Sequence, residues 1–205
     1  MLDDIFRFYT NHASRLAQDY ESVDPNHIHR AWRDHLPTPP ARAMDVGAGT
    51  GRDAAWLAGL GHEVLAVEPS AGMRAEGNAR HPSERIRWID DVLPGLPAVR
   101  EMDERFDLIL LSAVWMHVPA AERSFALETL AALTAPGGRI VVTLRFGPSP
   151  DAREFHPVSA AELQRLGKRL GLSVVMETAP NADQLDRRGV RWQTVVMEAP
   201  SNSPP

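Results

Sequence analysis

The sequence contains no cysteine among its 205 residues, which excludes disulfides, thiolate zinc sites, iron–sulfur clusters and a cysteine nucleophile. It also lacks an excess of positive charge. The formal net charge is −5, so a general electrostatic attraction to nucleic acid is not expected. No hydrophobic run approaches the roughly 20 residues of a membrane span, and residues 1–13 show no apolar signal core. We therefore expect a soluble, cytoplasmic protein without a membrane segment.

The length and the proline distribution suggest how the chain is organised. A chain of this size fits one domain and can bury a hydrophobic core without cross-links. The proline-rich linker at 36–40 separates an N-terminal helical segment, residues 1–36, from a body, residues 40–199. Residues 200–205 have nothing to bury, and we expect this tail to be disordered.

Two helices are predicted in the N-terminal segment. Apolar residues at helical spacing predict the first over residues 5–16. The aspartate and proline at 24–25 predict the cap and first turn of a second helix that runs towards His35. His27 and His29 lie two positions apart on this helix and point in different directions, so we expect no metal site.

Strand-like runs and helical stretches alternate after the linker. The predicted strands are 41–46, 63–67, 86–89, 106–112, 139–145, 172–178 and 191–198. The predicted helices are 52–59, 71–79, 120–133 and 159–170. This alternation predicts an α/β fold, a doubly wound and mostly parallel sheet with helices on both faces. The short polar connection between the last two strands predicts an antiparallel hairpin at one edge.

A glycine-rich loop, DVGAGTGRD at 45–53, follows the first predicted strand and opens a helix. Its glycines allow a tight turn and the close approach of a ligand to bare backbone. A dinucleotide site is the alternative, but its motif places the third glycine at position 52, where this chain has Arg52 and the glycine comes one residue early. Asp45 would also repel a pyrophosphate. A ligand with a positive charge is favoured there instead. The residues predicted to bind it are Asp45, Gly47, Ala48, Gly49, Gly51 and Arg52.

Glu68 ends the second predicted strand and adds a second carboxylate to this edge of the sheet. In that position a carboxylate can accept hydrogen bonds from both hydroxyls of a ribose. Pro69 fixes the exit of the chain and suits the rim of a pocket. The pattern therefore favours a nucleoside with a free ribose diol, no phosphate and a cationic group near Asp45. S-adenosylmethionine has these features.

Several motifs together resemble the class I S-adenosylmethionine-dependent methyltransferases, and most closely a small bacterial branch of that family. The motifs are DVGAGTG at 45–51, AVEPS at 66–70, WIDDVLP at 88–94, FDLILLSAVWMHV at 106–118 and APGGRIVVTLR at 135–145. They follow the family's order and spacing. The resemblance implies a seven-stranded sheet with an antiparallel last strand, S-adenosylmethionine as cofactor, and an N-terminal helical lid.

The resemblance also implies cofactor contacts after the third and fourth strands. Asp91, or alternatively Asp90, would reach the adenine amino group, with Val92 beside the ring. Ser112 and Trp115 would line the cofactor pocket, and Trp115 would also face the substrate. Helix capping is the alternative for the two aspartates, and packing under the lid is the alternative for Trp115.

The predicted substrate site also includes His117, Arg145, Arg153 and His156. The last three follow the fifth strand, at the edge where loops carry specificity in open α/β sheets. A bidentate fork from Arg145 would suit a carboxylate or phosphate, so we expect an anionic acceptor. His117 and His156 are candidate general bases, because the ordinary pKa of histidine suits proton removal. The alternatives are surface ion pairs for the arginines and a hydrogen bond that fastens a turn for His117.

These patterns predict an enzyme that transfers methyl groups from S-adenosylmethionine to a small molecule or a short peptide by in-line displacement. A macromolecular methyltransferase acting on protein or RNA, and a non-catalytic module that binds the cofactor and regulates a partner, stay open as alternatives. A nicotinamide-dependent oxidoreductase is disfavoured by Asp45 and Arg52. No pattern indicates the oligomeric state.

Overall fold

The computed structural model describes residues 2–149, 151, 153–185 and 187–201, so residues 202–205 of the predicted disordered tail lie outside it. The helices are α1 Leu2–Asn11, α2 Ala13–Glu21, α3 Pro25–Ile28, α4 Arg52–Gly59, α5 Ala71–Arg80, α6 Pro97–Arg100, α7 Arg123–Leu133 and α8 Ala160–Arg169. The strands are β1 Arg42–Val46, β2 Glu63–Val67, β3 Ile86–Ile89, β4 Phe106–Leu111, β5 Thr134–Phe146, β6 Ser173–Glu177, β7 Asn181–Ala182 and β8 Arg191–Glu198. Across the described ranges, no helix is long and apolar enough to cross a membrane.

The strands form one sheet in the order β3-β2-β1-β4-β5-β8-β6, and the two-residue strand β7 also pairs with β8. Neighbours from β3 to β5 are parallel, whereas β8 runs antiparallel to both β5 and β6. The predicted α/β fold and its antiparallel last strand are confirmed. The chain leaves β1 towards β2 on one side and reaches β4 on the other. This reversal opens a crevice at the carboxyl ends of the strands, where ligands bind in such sheets.

Both faces of the sheet are covered by helices, as its apolar strands require. On β4, Ile109 belongs to a core cluster that includes Leu127 of α7 and Leu163 of α8. Its neighbour Leu110 points to the opposite face and belongs to a second cluster that includes Leu57 of α4. Alternating side chains of one strand therefore hold helices on both sides.

The N-terminal segment differs from its predicted form. The first predicted helix is divided at His12, whose φ of −114° is not helical, into α1 and α2. Asp24 caps α3 as predicted, by accepting a hydrogen bond from the backbone N–H of Asn26. The helix nevertheless ends at Ile28, because the chain turns inward to bury His29 and Trp32 completely.

Residues 29–36 pack with the body rather than with α1 and α2. The indole nitrogen of Trp32 donates to His29 Nδ1 at 3.1 Å, and both rings contact Trp56 of α4. Trp32 also belongs to the core cluster that contains Leu110 of β4. The boundary predicted at residue 36 therefore separates Trp32 from the core cluster to which it belongs.

Helices α1 and α2 lie on α5, at the carboxyl edge of the sheet. The α1 backbone approaches α5 at Gly72, where an added Cβ would lie 2.6 Å from the carbonyl oxygen of Thr10. Leu16 and Met73 form a small apolar cluster between the helices, with Tyr9 packed against it. The hydroxyls of Thr10 and Ser70 are 2.9 Å apart. These contacts hold α1 and α2 above the crevice.

Candidate active site

A cavity of about 820 Å³ lies at the carboxyl ends of the strands, beneath α1 and α2. Its walls combine the glycine-rich loop, the segments after β2, β3, β4 and β5, and the two N-terminal helices. The cavity brings together thirteen of the residues predicted to form the site: Asp45, Gly47, Ala48, Gly49, Arg52, Glu68, Pro69, Asp91, Val92, Ser112, His117, Arg145 and Arg153.

Two residues predicted to contact the cofactor lie outside this lining for local reasons. Gly51 serves the turn: its φ is +77°, and an added Cβ would lie 2.8 Å from the ring of Trp88. Asp90 points away from the cavity and forms an ion pair with Arg74 at 2.7 Å, with its side chain 65% exposed. This position does not agree with the alternative prediction that Asp90 contacts the adenine amino group.

Trp115 and His156, which the sequence analysis also assigned to the site, are not part of the cavity lining. Trp115 is fully buried in the core cluster with Leu127 and is not part of the cavity lining, which agrees with the packing alternative rather than with the predicted contacts. His156 is held by its backbone, which donates to the carbonyl oxygen of Met116 at 2.8 Å. The His156 side chain is not part of the cavity lining and lies 3.9 Å from Glu154, which removes it as a candidate base.

The glycine-rich loop and Glu68 hold each other in place. The amides of Gly47 and Ala48 both donate to the carbonyl oxygen of Val67, which folds the loop over the end of β2. The carboxylate of Glu68 accepts one hydrogen bond from Gly49 N at 2.9 Å and one from Ser70 N at 2.8 Å. Each oxygen has the capacity to accept a further hydrogen bond, and Glu68 lines the cavity. Burial raises the pKa of Glu68 to about 7 despite these bonds.

Asp45 presents a second carboxylate at the end of β1. It is 1% exposed, and its Oδ2 has no partner among the described residues. Burial, together with the negative charge of Asp53, raises the pKa of Asp45 well above its ordinary value. A buried acceptor without a donor is costly, and a cationic ligand group would relieve that cost.

Arg52 does not compete for that role, because its charge is already paired. It forms a bidentate ion pair with Asp53, with nitrogen–oxygen distances of 2.8 and 3.0 Å. Burial alone would raise the pKa of Asp53, but Arg52 and His29 beside it hold that pKa well below its ordinary value. Arg52 also donates to the carbonyl oxygen of Tyr20 at 3.0 Å, which ties α2 to the glycine-rich loop.

Asp91 lines the cavity but uses both carboxylate oxygens on the backbone. They accept from the amides of Val92 at 2.8 Å and Val99 at 2.9 Å. This arrangement matches the capping alternative. A further contact from Asp91 to an adenine amino group stays a prediction.

The far end of the cavity is rich in basic groups. Arg145 is 5% exposed, and its guanidinium donates to the carbonyl oxygens of Gly147 and Pro148 at 3.2 and 2.9 Å. Arg153 pairs with Asp151 at 2.7 Å. Desolvation, followed by the positive charges of Arg153, His156 and Arg145, lowers the pKa of His117 to about 4. His117 is therefore neutral at pH 7 and a weak base.

Aromatic residues of this end were not singled out by the sequence patterns. Tyr9 and Tyr20 line the cavity from α1 and α2, and Phe155 lines it from the segment after β5. The apolar spacing of the first predicted helix indicated only that Tyr9 lies on its buried face. Its hydroxyl contact with His117, at 3.1 Å, joins residues 108 positions apart and has no local signal.

Comparison with known proteins places this geometry in a family. A family profile described as a methyltransferase domain matches residues 44–142. The chain is 34% identical to a demethylmenaquinone methyltransferase of Beutenbergia cavernae, over 69% of this chain and 55% of that protein. It is 35% identical to a protein-L-isoaspartate O-methyltransferase of Methylorubrum populi, over 62% of each. The chain thus spans a little more than half the length of these relatives.

The fold is also similar to that of a solved structure, 1,6-didemethyltoxoflavin-N1-methyltransferase of Burkholderia thailandensis with bound 1,6-didemethyltoxoflavin and S-adenosylhomocysteine. The TM-score is 0.69 at 22% identity, over 96% of this chain and 87% of that one. Residues 44–142 thus match a methyltransferase domain, and the fold of the chain is that of the class I S-adenosylmethionine-dependent methyltransferases. S-adenosylmethionine is the cofactor of this family.

The cavity of this methyltransferase fits that cofactor. The partnerless Oδ2 of Asp45 can accept a hydrogen bond from a cationic amino group, and Glu68 keeps lone pairs for ribose hydroxyls. An added Cβ on Gly49 would meet only Met73 Cε at 3.6 Å and the Tyr20 ring at 4.0 Å, so the loop leaves open space beside it. The individual contacts stay predictions.

The pKa of Glu68 predicts a pH-dependent cofactor affinity. Ribose hydroxyls donate to the carboxylate, so binding favours the ionised form of a group whose pKa is about 7. Affinity for S-adenosylhomocysteine should therefore rise with pH through about 7 and weaken below it, approaching tenfold per pH unit. Calorimetric titrations from about pH 6 to about pH 8 measure this dependence. The Glu68→Gln variant should bind more weakly with a flatter profile, and an unchanged slope in that variant would exclude Glu68 as the cause.

Proposed function

We propose that this methyltransferase transfers a methyl group from S-adenosylmethionine to a small molecule that shares one cavity with the cofactor. The observation that carries the proposal is the continuity of the cavity. Asp45 and Glu68 lie in the same lining as His117, Arg145 and Arg153, and residues of α1 and α2 form part of the wall. A bound acceptor would therefore sit next to the cofactor.

The cavity volume supports a small acceptor. Pockets for small ligands have volumes of about 300–1,000 Å³, and the cofactor would take much of the 820 Å³ available here. Two of the similar proteins are named for small molecules, a demethylated menaquinone and a toxoflavin precursor.

The chemistry asks little of the protein beyond placement. S-adenosylmethionine supplies an activated methyl group on a sulfonium sulfur. A lone pair of the acceptor forms the new bond to the methyl carbon, and the sulfur keeps the electrons of the bond that breaks. Holding the partners in line can contribute roughly 7–11 kcal/mol. A second contribution is the exclusion of water, which the residues of α1 and α2 in the cavity wall would provide.

Neither histidine predicted as a general base is a strong candidate for that role. His156 lies outside the cavity lining, and His117 has a pKa of about 4 and a hydrogen-bonded Nε2. An imidazole of that pKa removes protons poorly from alcohols or ammonium groups. The acceptor atom we propose is therefore one that carries no proton at neutral pH or loses it readily.

A second candidate acceptor is an isoaspartyl peptide, favoured by the 35% identity to a protein-L-isoaspartate O-methyltransferase. One assay separates the two. Release of S-adenosylhomocysteine is measured with a fractionated bacterial small-molecule extract and, separately, with an isoaspartyl hexapeptide. Turnover with the extract alone supports the proposal. Turnover with the peptide alone assigns the second candidate, and turnover with neither contradicts both.

A further inference from the structure

His117 is held by a chain of hydrogen bonds that crosses from the body to α1. Its Nε2 lies 3.1 Å from the hydroxyl of Tyr9. Arg153 donates to that same hydroxyl oxygen at 2.8 Å. Arginine can only donate, so the Tyr9 oxygen is an acceptor in this second contact. In the hydrogen bond between Tyr9 and His117, the donor is either the Tyr9 hydroxyl or the His117 Nε2–H, depending on the tautomer of the ring.

The unpaired atoms answer that question. If the Tyr9 hydroxyl donates to Nε2, the neutral ring carries its proton on Nδ1, and only that N–H lacks a partner. If Nε2 donates to Tyr9 instead, both the Tyr9 hydroxyl proton and the bare Nδ1 are left without partners. His117 Nδ1 is buried and partnerless among the described residues in either case. The first arrangement leaves fewer buried groups unsatisfied and is the favoured one.

The surroundings of this imidazole are positively charged. The Phe155 ring is a common neighbour: its centroid lies 5.1 Å from the His117 ring, 4.8 Å from Arg145 Cζ and 5.4 Å from Arg153 Cζ. Arg153 is paired with Asp151, and Asp183, whose negative charge also acts on Arg145, is itself paired with Arg187 at 2.7 Å. None of the described carboxylates forms an ion pair with Arg145, which donates to two backbone carbonyls instead. The partnerless Nδ1 of His117 and the Arg145 guanidinium thus belong to two residues that line the same cavity.

We propose that His117 is a substrate-positioning residue, whose Nδ1–H donates to an anionic oxygen of the acceptor molecule in the region that Arg145 makes positive. This inference rests on the proposed function and adds the chemical class of the acceptor, a carboxylate or a comparable oxygen anion. It also assigns Tyr9 and Arg153 a role, which is to fix the tautomer of His117. The pKa of about 4 keeps the ring neutral, so the Nδ1 proton is held as a donor.

The tautomer can be measured in the free protein, without cofactor or substrate. Two-bond ¹H–¹⁵N correlation spectra identify which nitrogen of His117 carries the proton. We expect the proton on Nδ1 in the wild type. In Tyr9→Phe the Nε2 atom loses its donor, and the spectrum should shift towards the Nε2-protonated form. A wild-type ring protonated on Nε2, or a Tyr9→Phe spectrum identical to the wild type, would overturn the inference.

The acceptor class is tested by binding, with the protein saturated by S-adenosylhomocysteine. The probes are benzoate, benzamide and benzylamine, which share a ring and differ in charge. Benzoate should bind about tenfold tighter than either of the others, because hydrogen bonds to a charged group are the stronger ones. Equal binding of the three probes, or a preference for benzylamine, would contradict the proposal.

A matched pair of variants separates donation from packing. The side-chain amide of His117→Asn can place its NH₂ group near the position of Nδ1, whereas that of His117→Gln reaches towards Nε2. Benzoate affinity should be largely retained in His117→Asn and fall about tenfold in His117→Gln. Equal losses in both would indicate a structural role. Failure of the wild type to bind S-adenosylhomocysteine would count against the proposed function, whereas normal cofactor binding without a benzoate preference would count against this inference alone.

Discussion

Replacing Gly49 with valine should abolish the binding of S-adenosylhomocysteine while the protein stays folded. Gly49 has a φ of +58° and an amide bonded to Glu68. A Cβ there would face open space beside the carboxylates, with only Met73 Cε and the Tyr20 ring within 4 Å. The two methyl groups of valine would therefore occupy the volume that the cofactor needs. Calorimetric titration measures the loss.

The left-handed backbone at Gly49 makes a matched control necessary, because any side chain is strained there at a cost of about 1–2 kcal/mol. Gly171 has a φ of +76°, and an added Cβ would meet only Pro200 at 3.7 Å, far from the cavity lining. Gly171→Val should lose similar stability and bind S-adenosylhomocysteine normally. Normal binding by Gly49→Val, or equal loss in both variants, would show that the loop does not approach the cofactor.

Deleting residues 1–23 should reduce turnover by at least about a hundredfold, the order expected when reacting groups lose their alignment. The deletion removes α1 and α2, and with them Tyr9 and Tyr20 from the cavity wall. It keeps Asp24, which caps α3, together with the buried Trp32. The sheet should therefore stay folded and retain weakened cofactor binding. Circular dichroism, calorimetry and a turnover assay check the three expectations separately.

The position of the cut distinguishes a lid from a part of the core. Deletion of residues 1–36 also removes Trp32, and loss of a buried tryptophan costs about 3–5 kcal/mol, a large share of the stability of a domain. We expect this longer deletion to be unfolded or strongly destabilised. Full turnover by the chain that begins at residue 24 would show that α1 and α2 do not close the active site.

Sequence patterns predicted the body of the fold and brought Asp45 and Glu68 to one edge of the sheet, because local signals mark both. The segments that became β2 and β3 are apolar runs with distinct ends, and both strands match their predicted bounds. Asp45 and Glu68 end adjacent parallel strands, and such ends meet at one edge of a sheet. Their convergence in the cavity follows from topology alone.

The acceptor end was harder to predict, because its geometry depends on turns and distant contacts. Residues Trp115–His117 form a 3₁₀ turn, with three residues per turn. Two positions along such a turn rotate a side chain by about 240°, so Trp115 enters the core while His117 lines the cavity. No periodicity in the sequence indicates this turn. The meeting of Tyr9, His117 and Arg153 likewise depends on how α1 lies across the sheet.

A crystal structure with bound S-adenosylhomocysteine tests the central claim most directly. We predict the ribose hydroxyls within hydrogen-bonding distance of Glu68, the amino group beside Asp45, and the remaining open volume next to His117 and Arg145. That arrangement would place the acceptor beneath α1 and α2. A ligand bound elsewhere, or one whose ribose leaves Glu68 without contact, would contradict the account.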